Sequence, residues 1–221
     1  MGEEGDWGRR SILDEVMVAR VKAGQHARAL DVGCGEGRFC RKLAELGIAT
    51  IGIDPTRALL DEAYRKDQQG DYRIGVGERL PFANEYFDLV ISYLSLIDIE
   101  NFVGAISEMN RVLARGGKLL VANLTSFSTA RADGGWHHNE FGRLSYFAID
   151  DYLTERSAWE NWRGIEVKNW HRPLCAYMQA FLVHGLALTF FDEPATSDDT
   201  SPRAAMYRRV PWYVVMEWVK P

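Results

Sequence analysis

The stretch Ala29-Leu30-Asp31-Val32-Gly33-Cys34-Gly35-Glu36-Gly37, followed by Ala49-Thr50-Ile51-Gly52-Ile53-Asp54, decides the fold. Ala29 to Val32 reads as a short strand that runs straight into a glycine-rich turn. A helix follows, with Phe39, Leu43 and Leu46 on one face and Gly47 as its stop. The second strand, Ala49 to Ile53, ends at the acidic Asp54. Each part has a mechanical use. Glycines let the backbone turn tightly and approach a ligand without a Cβ in the way. The helix behind them presents free N–H groups and the positive end of its dipole. An acidic side chain closing the next strand can accept two ribose hydroxyl hydrogen bonds.

Asp54 lies 21 residues after Gly33, a separation such units show. The dinucleotide pattern G-x-G-x-x-G needs glycine at position 38, which here is Arg38. The Asp31 carboxylate inside the strand repels a pyrophosphate but suits an amino-acid ammonium group. The spacing therefore favours S-adenosylmethionine (SAM) over NAD.

Outward from this unit, Ser11 to Ala23 reads as a helix that Ser11 can cap, with Ile12, Leu13, Val16 and Met17 as its apolar stripe. Pro55 begins a helix to about Lys66, and Tyr72 to Val76 forms a third strand. Phe87 to Ser92 is a continuous apolar run, expected of a strand buried on both faces. A helix around Glu100 to Leu113 turns at Gly116-Gly117 into the strand Lys118 to Asn123. Pro173 opens a helix through about His184, followed by strand Leu186 to Phe191, a polar loop and strand Val210 to Val219. The expected fold is α/β, a doubly wound, mostly parallel seven-stranded sheet with an antiparallel C-terminal hairpin at its edge.

The 221 residues suit one domain. Within it the regular pattern stops between about 124 and 171. That insertion holds Trp136, Trp159, Trp162 and Trp170, four of the seven tryptophans. Long irregular stretches in a compact domain tend to be lids or binding segments. The helix at about 11–23, with Trp7 and Arg10 just before it, reads as an N-terminal cap over the same site.

A net charge of −5 and the absence of a basic run argue against a phosphate-backbone partner. Three cysteines without a CxxC pair suit a reducing compartment. No leader or membrane-spanning run is read, so the expected location is cytoplasmic.

Leu30 to Gly37 resembles motif I of class I (Rossmann-like) SAM-dependent methyltransferases, and Gly52-Ile53-Asp54 resembles their ribose-binding strand end. Gly75-Val76-Gly77-Glu78-Arg79-Leu80-Pro81-Phe82 with Tyr86-Phe87-Asp88 is similar to the corresponding segment of the ubiquinone/menaquinone-biosynthesis subgroup. Arg111-Val112-Leu113 with Gly116-Gly117 matches that subgroup's turn. The resemblance implies a SAM-binding role for Gly33, Cys34 and Gly35 beneath the methionine part and for Asp31 at its amino group. It places Asp54 on the ribose, Pro55, Thr56, Gly77 and Glu78 around the adenine, and Ser92 and Tyr93 below the sulfonium. Val76 stands where the family usually has an aspartate that contacts the adenine amino group.

Methyl transfer from a sulfonium is an in-line displacement, in which the protein aligns the nucleophile and excludes water. No base is dictated by the sequence; Asp98, His137, His138 and Tyr146 are the candidates where one is required. His137-His138 has no third ligand at a metal spacing, and no metal is expected. The expected activity is methylation of a small, partly aromatic metabolite, leaving S-adenosylhomocysteine (SAH). A tRNA or protein methyltransferase, and a SAM-binding sensor or assembly protein without turnover, are the alternatives.

Overall fold

The computed structural model describes residues 7–162, 165–196 and 200–221, without the side chains of Trp162 and Ile165. The first six residues, part of the reading that no leader is present, lie outside the described residues, as does the Trp162 side chain. A π turn over Arg9–Leu13 runs into α1 (Asp14–Lys22). Then come β1 (Arg28–Val32), α2 (Arg38–Glu45), β2 (Ala49–Asp54), α3 (Arg57–Lys66), β3 (Asp71–Ile74), β4 (Phe87–Tyr93), α4 (Phe102–Val112) and β5 (Leu113–Leu124). The second half holds α5 (Ser126–Thr129), β6 (Arg131–His138), β7 (Leu144–Ile149), β8 (Arg156–Trp162) and β9 (Ile165–His171). It ends with α6 (Leu174–Val183), β10 (Ala187–Asp192), α7 (Pro202–Tyr207) and β11 (Tyr213–Val219).

Seven strands form one sheet in the order β10-β11-β5-β4-β1-β2-β3. From β5 to β3 all neighbours are parallel, and β11 runs antiparallel between β5 and β10. The expected edge hairpin is therefore present. Strand order reverses at β1, which has β2 on one side and β4 on the other. Crevices at the carboxyl ends of strands beside such a reversal are where open α/β sheets bind ligands. The glycine turn lies at this point.

Each face of the sheet carries its own apolar layer. On one, α4 and α6 pack Ile106, Met109 and Phe181 against Leu30, Val90, Val121 and Trp218. On the other, Leu13 and Met17 of the N-terminal helix and Phe39 and Leu43 of α2 cover Leu89, Ile91 and Val215. Burial on both faces explains why β4 has no polar alternation.

Several boundaries differ from the sequence reading. Ser11 lies inside the π turn and caps nothing, because the helix already starts around Trp7. Trp7 packs edge-on against Tyr207, with the Arg203 guanidinium over its ring, and this contact anchors the earlier turn. Pro55 precedes α3 rather than opening it, and Thr56 is the N-cap residue. The third strand stops at Ile74, and Val76 makes only a bridge to Arg79. The insertion at 124–171 is ordered as α5 and two separate hairpins, β6–β7 and β8–β9. The polar loop before the last strand contains α7, whose start is capped by the Ser201 hydroxyl.

Candidate cofactor site

The glycine turn is held from behind by the neighbouring strand. The Gly33 and Cys34 N–H groups both donate to the Ile53 carbonyl, at 2.8 and 3.0 Å. Gly33, Gly35 and Gly37 all adopt positive φ, 76°, 56° and 73°. Their surroundings differ. A Cβ on Gly33 would sit 2.3 Å from Ser95 Cβ, so this glycine serves close packing against the loop after β4. A Cβ on Gly35 would meet nothing within 4 Å. Gly35 thus faces open space at the strand reversal, where a ligand can approach its backbone.

Two buried carboxylates flank that opening. Asp54 accepts the Gly35 N–H on one oxygen and the Thr56 N–H on the other, each at 2.8 Å. It ties the glycine turn to the start of α3 while keeping lone pairs for hydroxyl donors. Asp31 is 1% exposed, accepts the Cys40 thiol at 3.4 Å on Oδ2, and leaves Oδ1 without a partner. Burial pushes its carboxyl up to about 7; the Cys40 hydrogen bond opposes this, nearby Asp54 adds to it and Arg9 opposes it. A buried, unpartnered carboxylate oxygen suits a cationic donor.

Asp98 joins the group from the loop after β4. Asp98 is exposed at the surface, yet the protein crowded around its carboxyl raises it to about 6, against the Asn169 hydrogen bond and the charge of Arg9 and with the charge of Asp54. The site therefore has three acids, Asp31, Asp54 and Asp98, faced by Arg9, which also lies over the Tyr93 ring. The sequence reading named Arg10; Arg9 carries the charge here. Nothing in the local pattern distinguished the two.

The remaining expected residues fall into two groups. Gly77 is buried, and a Cβ there would lie 3.1 Å from Val32 Cγ1 and from Ile99 Cδ1, so it packs beside β1. Pro55 and Thr56 are exposed, and Glu78 is half-buried. Ser92 and Tyr93 are enclosed. Ser92 is fully buried and bonds the Ser95 hydroxyl at 2.7 Å, and Ser95 in turn donates to the Val32 carbonyl at 2.6 Å. Tyr93 donates to Asp14 at 2.9 Å and packs on Phe39, and burial with Asp14 holds its phenol far above its usual range. Arg38, where a dinucleotide binder would need glycine, pairs with the same Asp14 and ties α2 to α1.

The other proton-transfer candidates sit on the β6–β7 hairpin. The His137 ring stacks on Tyr146 at 4.7 Å, His138 is exposed, and Tyr146 is 57% exposed. Among the described residues no group of three potential metal ligands occurs.

One further residue positions the site. Arg172 is 1% exposed and donates to the carbonyls of Ile99 and Glu100 at 2.7 and 2.9 Å and of Leu96 at 3.3 Å. It pins the loop that carries Ser95 and Asp98, with the Phe102 and Trp170 rings on its faces. The Trp170 N–H adds a bond to the Ile97 carbonyl at 2.8 Å.

Residues 30–121, which span this site from β1 to β5, match the sequence profile described as "Methyltransferase domain". Over these residues the chain is similar to a methyltransferase domain. It is 31% identical over 147 residues to a malonyl-[acyl-carrier protein] O-methyltransferase of Enterobacter lignolyticus, covering 63% of this chain and 58% of that protein. It is 33% identical over 125 residues to a demethylmenaquinone methyltransferase of Renibacterium salmoninarum, covering 57% and 50%. The chain thus spans about half the length of the curated relatives it matches. A SAM-dependent methyltransferase from Mesorhizobium loti superposes with a TM-score of 0.83 at 25% identity, covering 99% of this chain and 100% of that one. The motif resemblance and the class I methyltransferase fold are thereby borne out. Among the described residues no helix is long and apolar enough to cross a membrane.

Proposed function

We propose that the chain transfers a methyl group from SAM to a small-molecule acceptor. One observation carries this reading: Gly35 opens onto free space between the unpartnered Asp31 Oδ1 and the Asp54 carboxylate. That arrangement matches the amino-acid and ribose ends of SAM. When bound, SAM supplies an electrophilic methyl group on a sulfonium.

The protein's own residues do the binding and alignment. Asp31 Oδ1 takes the ammonium, Asp54 the ribose hydroxyls, and Arg9 the amino-acid carboxylate. Pro55, Thr56, Gly77 and Glu78 border the adenine, with backbone groups and Glu78 serving where Val76 cannot. Ser92 and Tyr93 act from beneath, by fixing Ser95 and the N-terminal helix. The three acids favour a cationic cosubstrate over its neutral product, which assists release. Where the acceptor is an alcohol or a weakly acidic carbon, Asp98 is the candidate base nearest this group of charges. The hairpins β6–β7 and β8–β9 and the N-terminal helix close over the acceptor.

Calorimetric titration of SAH into Asp54→Ala and Asp54→Asn tests the assignment. Asp54→Ala is expected to lose measurable binding, and Asp54→Asn, which keeps one acceptor, to weaken it at least tenfold. Undiminished affinity in folded Asp54→Ala overturns the cofactor reading. Acceptor-dependent conversion of SAM to SAH by the native chain separates turnover from binding alone.

A further inference from the structure

Asp31 has two carboxylate oxygens, and the cofactor reading uses only Oδ1, which has no partner among the described residues. The other, Oδ2, has a donor of its own. It accepts the Cys40 thiol at 3.4 Å, from a residue nine positions later on the first turn of α2. Cys40 is 4% exposed, so no solvent competes for this contact.

Room for the thiol comes from β2. A Cβ on Gly52 would lie 2.7 Å from Cys34 Sγ and 2.9 Å from Cys40 Sγ. The two sulfurs thus occupy the place that a side chain on this strand would take. Cys34 turns its own thiol to the Gly35 carbonyl, at 3.7 Å. Leu60, Ala63 and Tyr72 close the far side with apolar surface. Alanine or valine would fill such a corner, but neither brings a proton to a buried carboxylate.

The Cys40 thiol keeps that proton at neutral pH. Its hydrogen bond with Cys34, then burial and the charge of Asp31, hold it well above the ordinary thiol range. It therefore acts as a donor rather than a rival anion. The groups facing the Asp31 carboxyl come from four segments: Cys40 on α2, Cys34 in the glycine turn, Asp54 on β2 and Arg9 before α1. Burial raises the carboxyl most, and the Cys40 hydrogen bond is the largest effect opposing it, ahead of Asp54, which raises it, and Arg9, which lowers it. A hydrogen bond to the ionised form favours that form. It also fixes the plane of the group, because an oxygen bonded to α2 cannot swing toward the opening.

We propose that Cys40 is a positioning residue for the cofactor: its thiol holds Asp31 by Oδ2 and so presents Oδ1 to the amino-acid ammonium. This rests on the SAM reading above for the ammonium alone; the grip of Cys40 on Asp31 is tested without ligand.

The ligand-free test is a carbon-13 NMR titration of the aspartate carboxyl carbons of the full chain from pH 5 to 9, with the Asp31 signal assigned by its loss in Asp31→Asn. The native midpoint is expected near the value of about 7 that burial gives it. Cys40→Ala is expected to raise it by at least about half a unit. Cys40→Ser, which keeps a donor, should lie closer to the native chain than to Cys40→Ala. An unmoved midpoint in Cys40→Ala overturns the proposal, as does a serine variant displaced as far as alanine, which would reduce Cys40 to packing.

Calorimetric titration of SAH at pH 6 and pH 8 then reads the consequence. Half a unit corresponds to about threefold in the ionised fraction at pH 6 and almost nothing at pH 8. The ratio of native to Cys40→Ala affinity should therefore be at least twofold larger at pH 6. A ratio equal at both pH values overturns the presentation of Oδ1 to the ammonium, since a merely structural lesion weakens binding alike at each. Failure of SAH to bind the native chain overturns the cofactor reading instead, and leaves the Asp31 midpoints to judge Cys40 by themselves.

Discussion

Adding one methyl group at Gly33 and at Gly35, two residues apart in the same turn, is expected to give opposite results. Both residues have positive φ, 76° and 56°, so alanine at either place incurs roughly 1–2 kcal/mol of backbone strain. At Gly35 there is no further structural cost, because the new Cβ meets nothing within 4 Å. At Gly33 it arrives 2.3 Å from Ser95 Cβ, more than 1 Å inside normal contact. Ser95 cannot swing away freely, since its hydroxyl is held at 2.7 Å by Ser92 and at 2.6 Å by the Val32 carbonyl. Overpacking of this kind adds about 1–3 kcal/mol. Gly33→Ala is therefore expected to lose about 3 kcal/mol in all, and Gly35→Ala about 1 kcal/mol. For a chain of this size that means a fall in Tm of roughly 6–12 °C for the first and about 2–4 °C for the second. Binding reverses the order. The Gly35→Ala methyl group enters the space assigned to SAM, so SAH affinity should drop at least tenfold with the fold intact. Differential scanning fluorimetry gives the Tm values and calorimetry the SAH affinities. Equal losses of Tm, or Gly35→Ala binding SAH like the native chain, would refute the division of labour drawn here.

Acid–base behaviour offers another check. The Asp31 carboxyl, ordinarily near 3.8, is raised to about 7 in the folded chain, so between those values the native state binds more protons than the unfolded one. Stability of the ligand-free protein should fall as pH rises through that window, by at most about 1.4 kcal/mol per unit, and level off above it. Urea midpoints at pH 5, 6 and 7 should show this slope, and Asp31→Asn should flatten it; an unchanged slope in the variant removes Asp31 as the cause. Arg172→Met leaves the Leu96, Ile99 and Glu100 carbonyls without their donor and is expected to lose about 3 kcal/mol, lowering Tm by roughly 6–12 °C. Hydrogen exchange at residues 96–100 should rise with it, and a fall in Tm under about 2 °C would show that the loop does not depend on this guanidinium.

The sequence by itself determined the parallel sheet, its glycine turn and the acid on the neighbouring strand. These depend on local rules: apolar runs make strands, glycines permit positive φ, and Asp54 follows Gly33 at a βαβ separation. The same locality explains where the reading stopped. Ser11 looked like a helix cap because capping is judged from neighbours, but Trp7 found Tyr207, 200 residues away, and started the helix earlier. The insertion looked irregular because its two hairpins pair within themselves, away from the main sheet, and keep weak alternation; Trp159 stays 71% exposed on one of them.

Only the tertiary structure decided which charges meet. Asp31, Asp54, Asp98 and Arg9 come from four separate segments, and their mutual effects depend on through-space distance and burial. Arg172 reads as an ordinary residue before a helix until its three carbonyl partners, more than seventy positions earlier, are brought to it. The orphaned Oδ1 of Asp31 belongs to the same class. A sequence records that a polar side chain is present, whereas the absence of a hydrogen-bond partner is a property of the packed molecule alone.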